Sequence, residues 1–378
     1  MANTITGFLE RLTAAAGDYN KAKVARLGLL GSVYLDVRPA VARQGQTIRI
    51  YFPDVAAMTD QANNDWTPED LNPGYVDMAW GQRPGKAILV RDFEQFQTAT
   101  DILDQFIDPC YKRACEYANG AIAALLTAGN FNAYPALQSA TPASIPIGTA
   151  ANAWDVLTGA KVPVQDPASC SLVVHNNVHR NMLTDSNWYQ GNLVGAVIAN
   201  QPRQNAADGP GTPPAFNYTR KVDQQMPTPT PANLTGTIAV TNGSTAVTGT
   251  GTAFTTQAPV GSWIKVATDT AYYRVEAVTS DTALVLSQGY AGTTGSGKTY
   301  QRVTYTSVAM NKYAIALAVR PLELVNNGSV QSRLVMIQGL PFRLMLSYQH
   351  LKAGWLMTLD YAMVAAVIRP DFGILIQS

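Results

Sequence analysis

The feature that most constrains the fold of this chain is an abrupt change of pattern after a Pro-rich spacer at residues 227–231. From there to about residue 305 the sequence alternates apolar and polar residues in short runs, separated by Asn-Gly, Gly-Thr-Gly and Ser-Asp turns. Alternation with a period of two over four to eight residues is typical of half-buried strands. We therefore predict that residues 231–305 form a small all-β domain inserted into a host chain.

The host chain before this block mixes strands with a long helical pattern. Gln46–Phe52 alternates as a strand does, and two β-like stretches follow at 75–82 and 86–93 after a polar segment with no clear period. Asp92 and Gln95 resemble a capping box, and apolar residues then recur every three or four positions. Pro109 is predicted to kink this helix or to begin a new one that ends near Gly129.

Later parts of the host chain carry a second set of patterns. Residues 130–165 are Pro-, Ala- and Ser-rich and are predicted to be mostly loop, and residues 200–232 are loop by composition. The run CSLVVH predicts a buried strand, with a helix around Val178–Leu183 after it. Ser307–Val319 is helix-like in composition, and two long β-rich runs then complete the chain. The predicted class is α+β.

Low charge narrows the possible functions. The 378 residues include 27 Lys plus Arg and 26 Asp plus Glu, a net charge of +1, and only 14% are charged, where soluble proteins average about 25%. Near-neutrality argues against a strongly basic nucleic-acid binder. A poorly charged exterior favours association, so we expect other subunits to cover much of the surface.

The first 49 residues depart from this neutrality. They carry seven basic and three acidic residues. This excess fits an arm that contacts an acidic partner or lies over nucleic acid, and it fits an ordinary solvated segment equally well.

The number of cysteines and the hydropathy of the sequence indicate the cellular compartment in which the chain is made. Three cysteines are too few for a disulfide framework, and Cys110 and Cys115 fit a helix as small core residues. The most apolar stretch, Ala353–Ile368, contains Asp360 and is too short to cross a bilayer. With no apolar h-region at the N-terminus, we expect synthesis in a reducing cytoplasm and no membrane partner.

A complete Walker A pattern, Gly292 to Thr299, raises the possibility of a nucleotide site. In a P-loop the glycines let backbone N–H groups wrap the phosphates, and the lysine, here Lys298, reaches the terminal phosphates. That cradle needs a helix directly after the lysine. The sequence continues instead as YQRVTYTSV, which is strand-like, so we expect no ATP site.

The three histidines give no better support for catalysis. His175 and His179 stand four apart, as in a zinc-binding helix, but no glutamate lies between them. Asn176 and Asn177 fit a structural or capping role, and a zinc site with His350 has no further support. With no nucleophile motif and no paired acidic motif, we assign no catalytic, cofactor-binding or metal-binding residue, and predict no enzyme and no cofactor.

The order of these parts resembles the major capsid (coat) proteins of tailed bacteriophages, the Hong Kong-type shell fold. The likeness is strongest to the Salmonella-podophage type, which carries an inserted β domain. Three segments carry it: 48–53 paired with 87–126 looks like the E-loop running into the spine helix, 307–324 looks like the segment after the insertion, and 360–376 is similar to the closing strands.

This resemblance implies a domain plan. It comprises an N-terminal arm (1–45), an E-loop with flanking strands (46–91), a peripheral domain with the spine helix (92–165), an axial domain (166–230), the inserted β domain (231–305) and a return to the axial and peripheral domains (306–378).

The resemblance also implies the function and the partners. The chain would assemble with its own copies, as hexamers and pentamers, into an icosahedral virion shell made in the host bacterial cytoplasm. The shell would enclose double-stranded DNA without sequence specificity. A portal, a separate scaffolding protein and a possible decoration protein are further implied partners. Lys86 is the one E-loop candidate for the lysine–asparagine crosslink of some such shells, and we expect no crosslink because no partner asparagine can be identified.

Two other functions compete with this expectation. The β block also fits a structural or adhesion protein of the phage tail, and the Walker pattern leaves a P-loop NTPase as a remote alternative.

Overall fold

The computed structural model describes a mixed α+β protein, which confirms the predicted class. The described residues are 27–37, 47–52, 74–91, 108–139, 143–163, 169–184, 188, 219–226, 231–302, 304–327, 330–337 and 339–378. Within them the α-helices are α1 (Asp108–Ala123), α2 (Ile147–Gly159), α3 (Asn176–Thr184) and the short α4 (Phe254–Gln257). None of these described helices is long and apolar enough to cross a bilayer.

The strands fall into three groups along the described chain. The first group is β1 (Tyr34–Val37), β2 (Thr47–Phe52), β3 (Gly74–Ala79), β4 (Gly85–Arg91), β5 (Leu137–Gln138), β6 (Cys170–His175) and β7 (Thr219–Asp223). The second is β8 (Ala232–Asn233), β9 (Thr237–Val240), β10 (Ala246–Thr250), β11 (Trp263–Val266), β12 (Tyr273–Ser280), β13 (Ala283–Leu286), β14 (Gly295–Lys298) and β15 (Tyr300–Arg302). The third is β16 (Thr306–Asn311), β17 (Ile315–Arg320), β18 (Val330–Ile337), β19 (Leu340–Gln349), β20 (Gly354–Asp360), β21 (Ala362–Val367) and β22 (Gly373–Gln377).

These elements belong to two compact units. Among the described residues, the first unit takes those within 35–118 and 316–368, and the second takes those within 27–34, 119–315 and 369–378. Chain segments that are remote in sequence therefore share each unit. The predicted helix start at Asp92, the polar segment after Phe52 and the arm up to residue 26 lie outside the described residues.

The first unit is built around a four-stranded antiparallel sheet in the order β18-β19-β20-β4. The side chains of Phe342, Leu344 and Leu346 alternate along β19 on its buried face. The ring of Phe342 packs edge-on against Tyr361, with centroids 4.7 Å apart. The Tyr361 hydroxyl donates a hydrogen bond of 2.8 Å to the carbonyl of Ala114, which ties α1 to this core.

A buried ion pair joins the beginning and the return of the host chain within the first unit. β17 lies between β1 and β21 in a three-stranded sheet. At the end of β17, Arg320 Nη2 lies 2.8 Å from Asp36 Oδ2 on β1, and the two side chains are only 5% and 6% exposed. Arg320 Nη1 also donates to the Asp36 carbonyl at 2.6 Å. Both charges are thus removed from water and satisfied by each other.

The second unit contains a five-stranded sheet in the order β5-β22-β16-β6-β7. β16 runs antiparallel to both of its neighbours, and β6 pairs in parallel with β7. The buried carboxylate of Asp223 at the end of β7 accepts hydrogen bonds from the Leu29 backbone N–H (2.8 Å) and from Asn119 Nδ2 (3.0 Å). This network fixes residues 27–32 beside the sheet.

The β block of residues 232–302 also lies in the second unit and forms an eight-stranded sheet, β14-β9-β10-β13-β12-β11-β15-β8. Its buried side chains form a hydrophobic cluster drawn entirely from this block, including Phe254, Val275 and Tyr300. Where the block meets the five-stranded sheet, Arg302 Nη2 donates to Gln377 Oε1 at 2.7 Å. The predicted strands of this region are confirmed.

Other sequence predictions of local structure have mixed outcomes. The strand CSLVVH and the helix after it are confirmed as β6 and α3, and the helix predicted from Pro109 is confirmed as α1, although it ends at Ala123. The helix predicted over Ser307–Val319 is wrong, because this segment forms β16 and β17. The prediction that 130–165 is mostly loop missed α2. Of the loop predicted over 200–232, residues 200–218 and 227–230 lie outside the described part of the chain, and the prediction missed β7 and the start of β8.

We predict that breaking the buried pair destabilises the protein strongly. Arg320→Met should lower the free energy of unfolding by about 3–5 kcal/mol, because the buried Asp36 carboxylate would lose its ion pair with Arg320. Denaturation with urea measures the loss. Glu276→Gln is the matched control, because it breaks the exposed Arg274–Glu276 pair and should cost less than about 1 kcal/mol. Equal losses in the two variants would contradict the prediction.

Candidate assembly surface

The β2–β3 hairpin is a described element with both faces partly exposed. Its strands pair antiparallel from Thr47 opposite Ala79 to Phe52 opposite Gly74, and among the described residues they form a sheet of two strands only. A two-stranded hairpin is marginally stable in water unless its apolar face packs on something. The hairpin therefore needs cover along its length.

The two faces of the hairpin differ in character. One carries Ile48, Ile50, Val76 and Met78; Met78, at the base, is buried, while the other three are half-buried. Only Met78 is fully covered on this face. An apolar strand face that is left half in water is suited to contact with another surface.

The opposite face presents an ordered ladder of exposed side chains. Arg49 and Asp77 form a two-point ion pair at 2.7 and 2.9 Å, and these hydrogen bonds hold the pKa of the Asp77 carboxyl below its ordinary value. Next along the ladder, Tyr51 and Tyr75 are 60% and 50% exposed, with ring centroids 6.2 Å apart. The Arg49 guanidinium stacks 3.9 Å from the centre of the Tyr75 ring.

This ladder has the composition of a protein interface. Tyrosine and arginine are enriched at binding hot spots, because each combines a large contact area with a polar group. Sequence reasoning predicted both strands and missed the ladder. The alternation in TIRIYF places Arg49 and Tyr51 on one face, but only the register of the hairpin shows that Asp77 and Tyr75 lie opposite them.

Three ionisable side chains in or near α1 are candidate reactive groups: Lys86, Cys110 and Cys115. Lys86 is an exposed residue of β4. Cys110 is half-buried, and burial raises the pKa of its thiol although the charge of Lys86 opposes that rise. Burial raises the pKa of the Cys115 thiol to about 12. Both thiols are therefore protonated at neutral pH. Cys115 is a core residue as predicted, whereas Cys110 is only half-buried.

The Walker-like segment has the geometry of a sheet edge. Gly295–Lys298 is the strand β14, which pairs antiparallel with β9, and the strand β15 follows directly where a P-loop would begin a helix. Lys298 Nζ donates to the Thr293 carbonyl. It also lies 3.5 Å from the Tyr290 hydroxyl, which itself donates to Asp269 Oδ2 at 2.6 Å. The side chain of Lys298 thus bonds back to residues 290–293 of the preceding loop.

The histidines are placed on different elements. His175 ends β6 and His179 lies within α3, so they do not share a helix face. The His175 ring accepts a hydrogen bond of 3.1 Å from the Asn177 backbone N–H and packs against Tyr305. The histidine ring therefore satisfies a backbone N–H in the first turn of α3. The Asn177 side chain instead donates to the Tyr305 hydroxyl at 3.2 Å. Burial lowers the pKa of His175, and the nearby Asp223 opposes this shift.

Metal-binding clusters are a further class of site. Within the described ranges no group of three or more His, Cys, Asp or Glu side chains is close enough to hold a metal ion. His350, the third histidine, lies in the short turn between β19 and β20.

We predict that magnesium-ATP gives no saturable heat when it is titrated into the protein. Lys298→Met should instead lower the free energy of unfolding by about 1 kcal/mol, because the hydrogen bond that closes the loop is lost. Lys265→Met, in the same sheet, is the control and should cost less. Saturable nucleotide binding that disappears in the Lys298 variant would restore the P-loop hypothesis.

Comparison with known proteins gives likenesses among solved structures. No family model and no curated protein matches the chain. The capsid of the cyanophage P-SCSP1u is similar at 10% identity and a TM-score of 0.46, over 94% of this chain and 89% of that one. The mature capsid of bacteriophage PhiM1 is similar at 8% and 0.44, over 92% and 86%.

A third likeness is to the capsid of an empty GTA particle. It is similar at 10% identity and a TM-score of 0.42, over 96% of this chain and 97% of that one. Each of the three is described as a capsid.

Proposed function

We propose that this chain is a major capsid protein, which assembles with copies of itself into the icosahedral shell of a tailed phage. The observation that carries the proposal is the β2–β3 hairpin. Its apolar face is only half-buried and its other face displays exposed tyrosines, so both faces suit contact with a neighbouring subunit. The hairpin occupies the place of the E-loop in the order of segments that the sequence shares with phage coat proteins.

The distribution of exposed apolar side chains supports the same function. Outside the β block, large apolar or aromatic side chains more than one-third exposed occur on many separate elements: Tyr51, Tyr75, Tyr117, Tyr313, Leu324, Val325, Leu334, Met336, Tyr348 and Leu351. A subunit surrounded by copies of itself needs several contact surfaces, each of which buries apolar area. Only 14% of the residues are charged, so few desolvation costs oppose such burial.

The β block fits the role of an inserted domain. Its hydrophobic cluster is self-contained, and the spacer at 227–231 and residue 305 bound it in sequence. We propose the domain plan with boundaries at 45, 91, 165, 230 and 305 that the resemblance implies. The bond from Arg302 to Gln377 would hold the inserted domain at a defined position beside the five-stranded sheet.

The remaining partners follow from the proposed shell. A portal, a separate scaffolding protein, a possible decoration protein and packaged double-stranded DNA would complete the virion, which would be assembled in the cytoplasm of the host. The role is structural and non-enzymatic. The tail or adhesion alternative predicts a ring or trimer, so the symmetry of the assembly separates the two functions.

Sedimentation and negative-stain microscopy of the purified full chain test the proposal. We expect hexamers, pentamers or closed particles of megadalton mass. A chain that stays a 40.5 kDa monomer in every condition, or that forms only rings or trimers, would contradict the capsid function.

We predict that Tyr51→Ser combined with Tyr75→Ser impairs assembly without unfolding the subunit. Buried aromatic anchors at interfaces contribute about 2 kcal/mol or more, so the concentration needed for assembly should rise at least about tenfold. Light scattering measures that threshold, and circular dichroism checks the fold. Tyr272→Ser is the matched control, because it removes an exposed tyrosine side chain from the β block and leaves the hairpin intact. An unchanged threshold in the double variant would show that the hairpin is not an assembly contact.

We further predict that Lys86 forms no covalent crosslink between subunits. Denaturing gels of mature particles should show a single band at the mass of the chain. A ladder of linked subunits that disappears in Lys86→Arg would show the opposite.

A further inference from the structure

The outer edge of β18 is a second surface that the hairpin does not explain. β18 is an end strand of its four-stranded sheet among the described residues. Its first residues bond outward, away from β19: Val330 exchanges backbone hydrogen bonds of 2.9 and 3.0 Å with Asn327, and the Ser332 N–H donates to Asn326 Oδ1 at 2.8 Å. The backbone groups of Val330 and Ser332 therefore point away from β19, toward the outer edge of the sheet.

The same alternation continues along the strand. In an antiparallel ladder, the N–H and C=O of every second residue point to the same side. The register with β19 runs without a shift from Val330 to residue 337. The backbone N–H and C=O of Leu334 and Met336 must therefore also point to the outer edge, beyond the part that Asn326 and Asn327 cover.

This part of the edge lacks the features that usually prevent strand pairing. Monomeric proteins protect their edge strands with charged side chains, prolines or bulges. Residues 334–337 read Leu-Val-Met-Ile, without charge, proline or bulge. Leu334 and Met336 are 42% and 46% exposed, and the exposed side chains of Leu324 and Val325 lie just before the segment that flanks β18.

We propose that this edge pairs antiparallel with the same edge of a second copy of the chain, about a twofold axis centred on Val335. The inference takes from the proposed function only that the partner is another copy. Leu334 of each subunit would then lie opposite Met336 of the other, and four backbone hydrogen bonds would join the two sheets into one of eight strands.

Charge disfavours a neighbouring register. Centring the axis on Val335 places Arg333 opposite residue 337, whereas centring it on Arg333 would place two arginines directly opposite each other, which is unfavourable. The cross-strand neighbours among residues 334–336 in the proposed register are apolar side chains. A twofold contact requires a self-complementary surface, and a short apolar strand edge meets that requirement.

Disulfide trapping in the full chain tests the register. The parent protein carries Cys110→Ser, which removes the one native thiol that is not buried. Cα atoms of a hydrogen-bonded cross-strand pair lie about 5.5 Å apart, within the range of a disulfide. Leu334→Cys combined with Met336→Cys should therefore give a covalent dimer on mild oxidation with diamide, seen on a non-reducing gel.

The single variants are the matched controls. In the proposed register, two copies of residue 334 are offset by two residues along the strands, about 8 Å apart and beyond disulfide reach, and the same holds for residue 336. We expect less than about one-tenth of the double variant's dimer from either one. Dimer from a single variant at the level of the double variant, or none from any variant, would overturn the proposed pairing.

A charge on the edge gives a second test that does not depend on oxidation. Leu334→Lys with Met336→Lys should abolish the twofold contact, whereas Val260→Lys, on an exposed aliphatic residue of the β block, should not. Sedimentation of the full chain measures the formation of shells, independently of the disulfide dimer. Shells without the disulfide dimer would refute the edge pairing and leave the capsid function standing, and a disulfide dimer without shells would do the reverse.

Discussion

The buried ion pair between Arg320 and Asp36 is the constraint on which the first unit depends. It joins residues 284 positions apart, and it forms only when β1 and β17 lie side by side. Since an unpaired buried charge costs several kcal/mol, the pair strongly favours the native pairing over other arrangements of these strands. A second buried pair, Arg343 with Asp360, joins β19 to β20 in the neighbouring sheet.

This closure by distant segments accounts for the organisation of the β block. Apart from the β2–β3 hairpin, the host sheets of the described residues are completed only by β16–β22, which follow the block in sequence. A segment placed between the two halves must bury its own apolar side chains, and the block does so around Phe254, Val275 and Tyr300. The host contacts it through polar groups such as Gln377. The block can thus interrupt the chain without interrupting either core.

The two proposed contact surfaces lie in the same unit and differ in chemistry. The hairpin offers exposed tyrosines beside an ion pair, whereas the β18 edge offers backbone hydrogen-bonding groups between aliphatic side chains. Side-chain contacts of the first kind are specific to a complementary surface. Strand pairing of the second kind is tolerant of side chains and depends on register, which the position of Arg333 limits.

Local patterns in the sequence determined the strands with alternating exposure, the helix that begins near Pro109, the strands of the β block, and the absence of a helix after Lys298. The amino-acid composition determined the scarcity of charge. Tertiary structure alone decided the secondary structure of Ser307–Val319. Its Ala-rich run favours a helix, but the segment is buried on both faces between other strands and forms β16 and β17. Burial on both faces removes the alternation of apolar and polar residues that marks a strand in the sequence. Tertiary structure alone also decided which charges are buried together and which strand lies at an edge, because these depend on pairing between residues hundreds of positions apart, which no local pattern records.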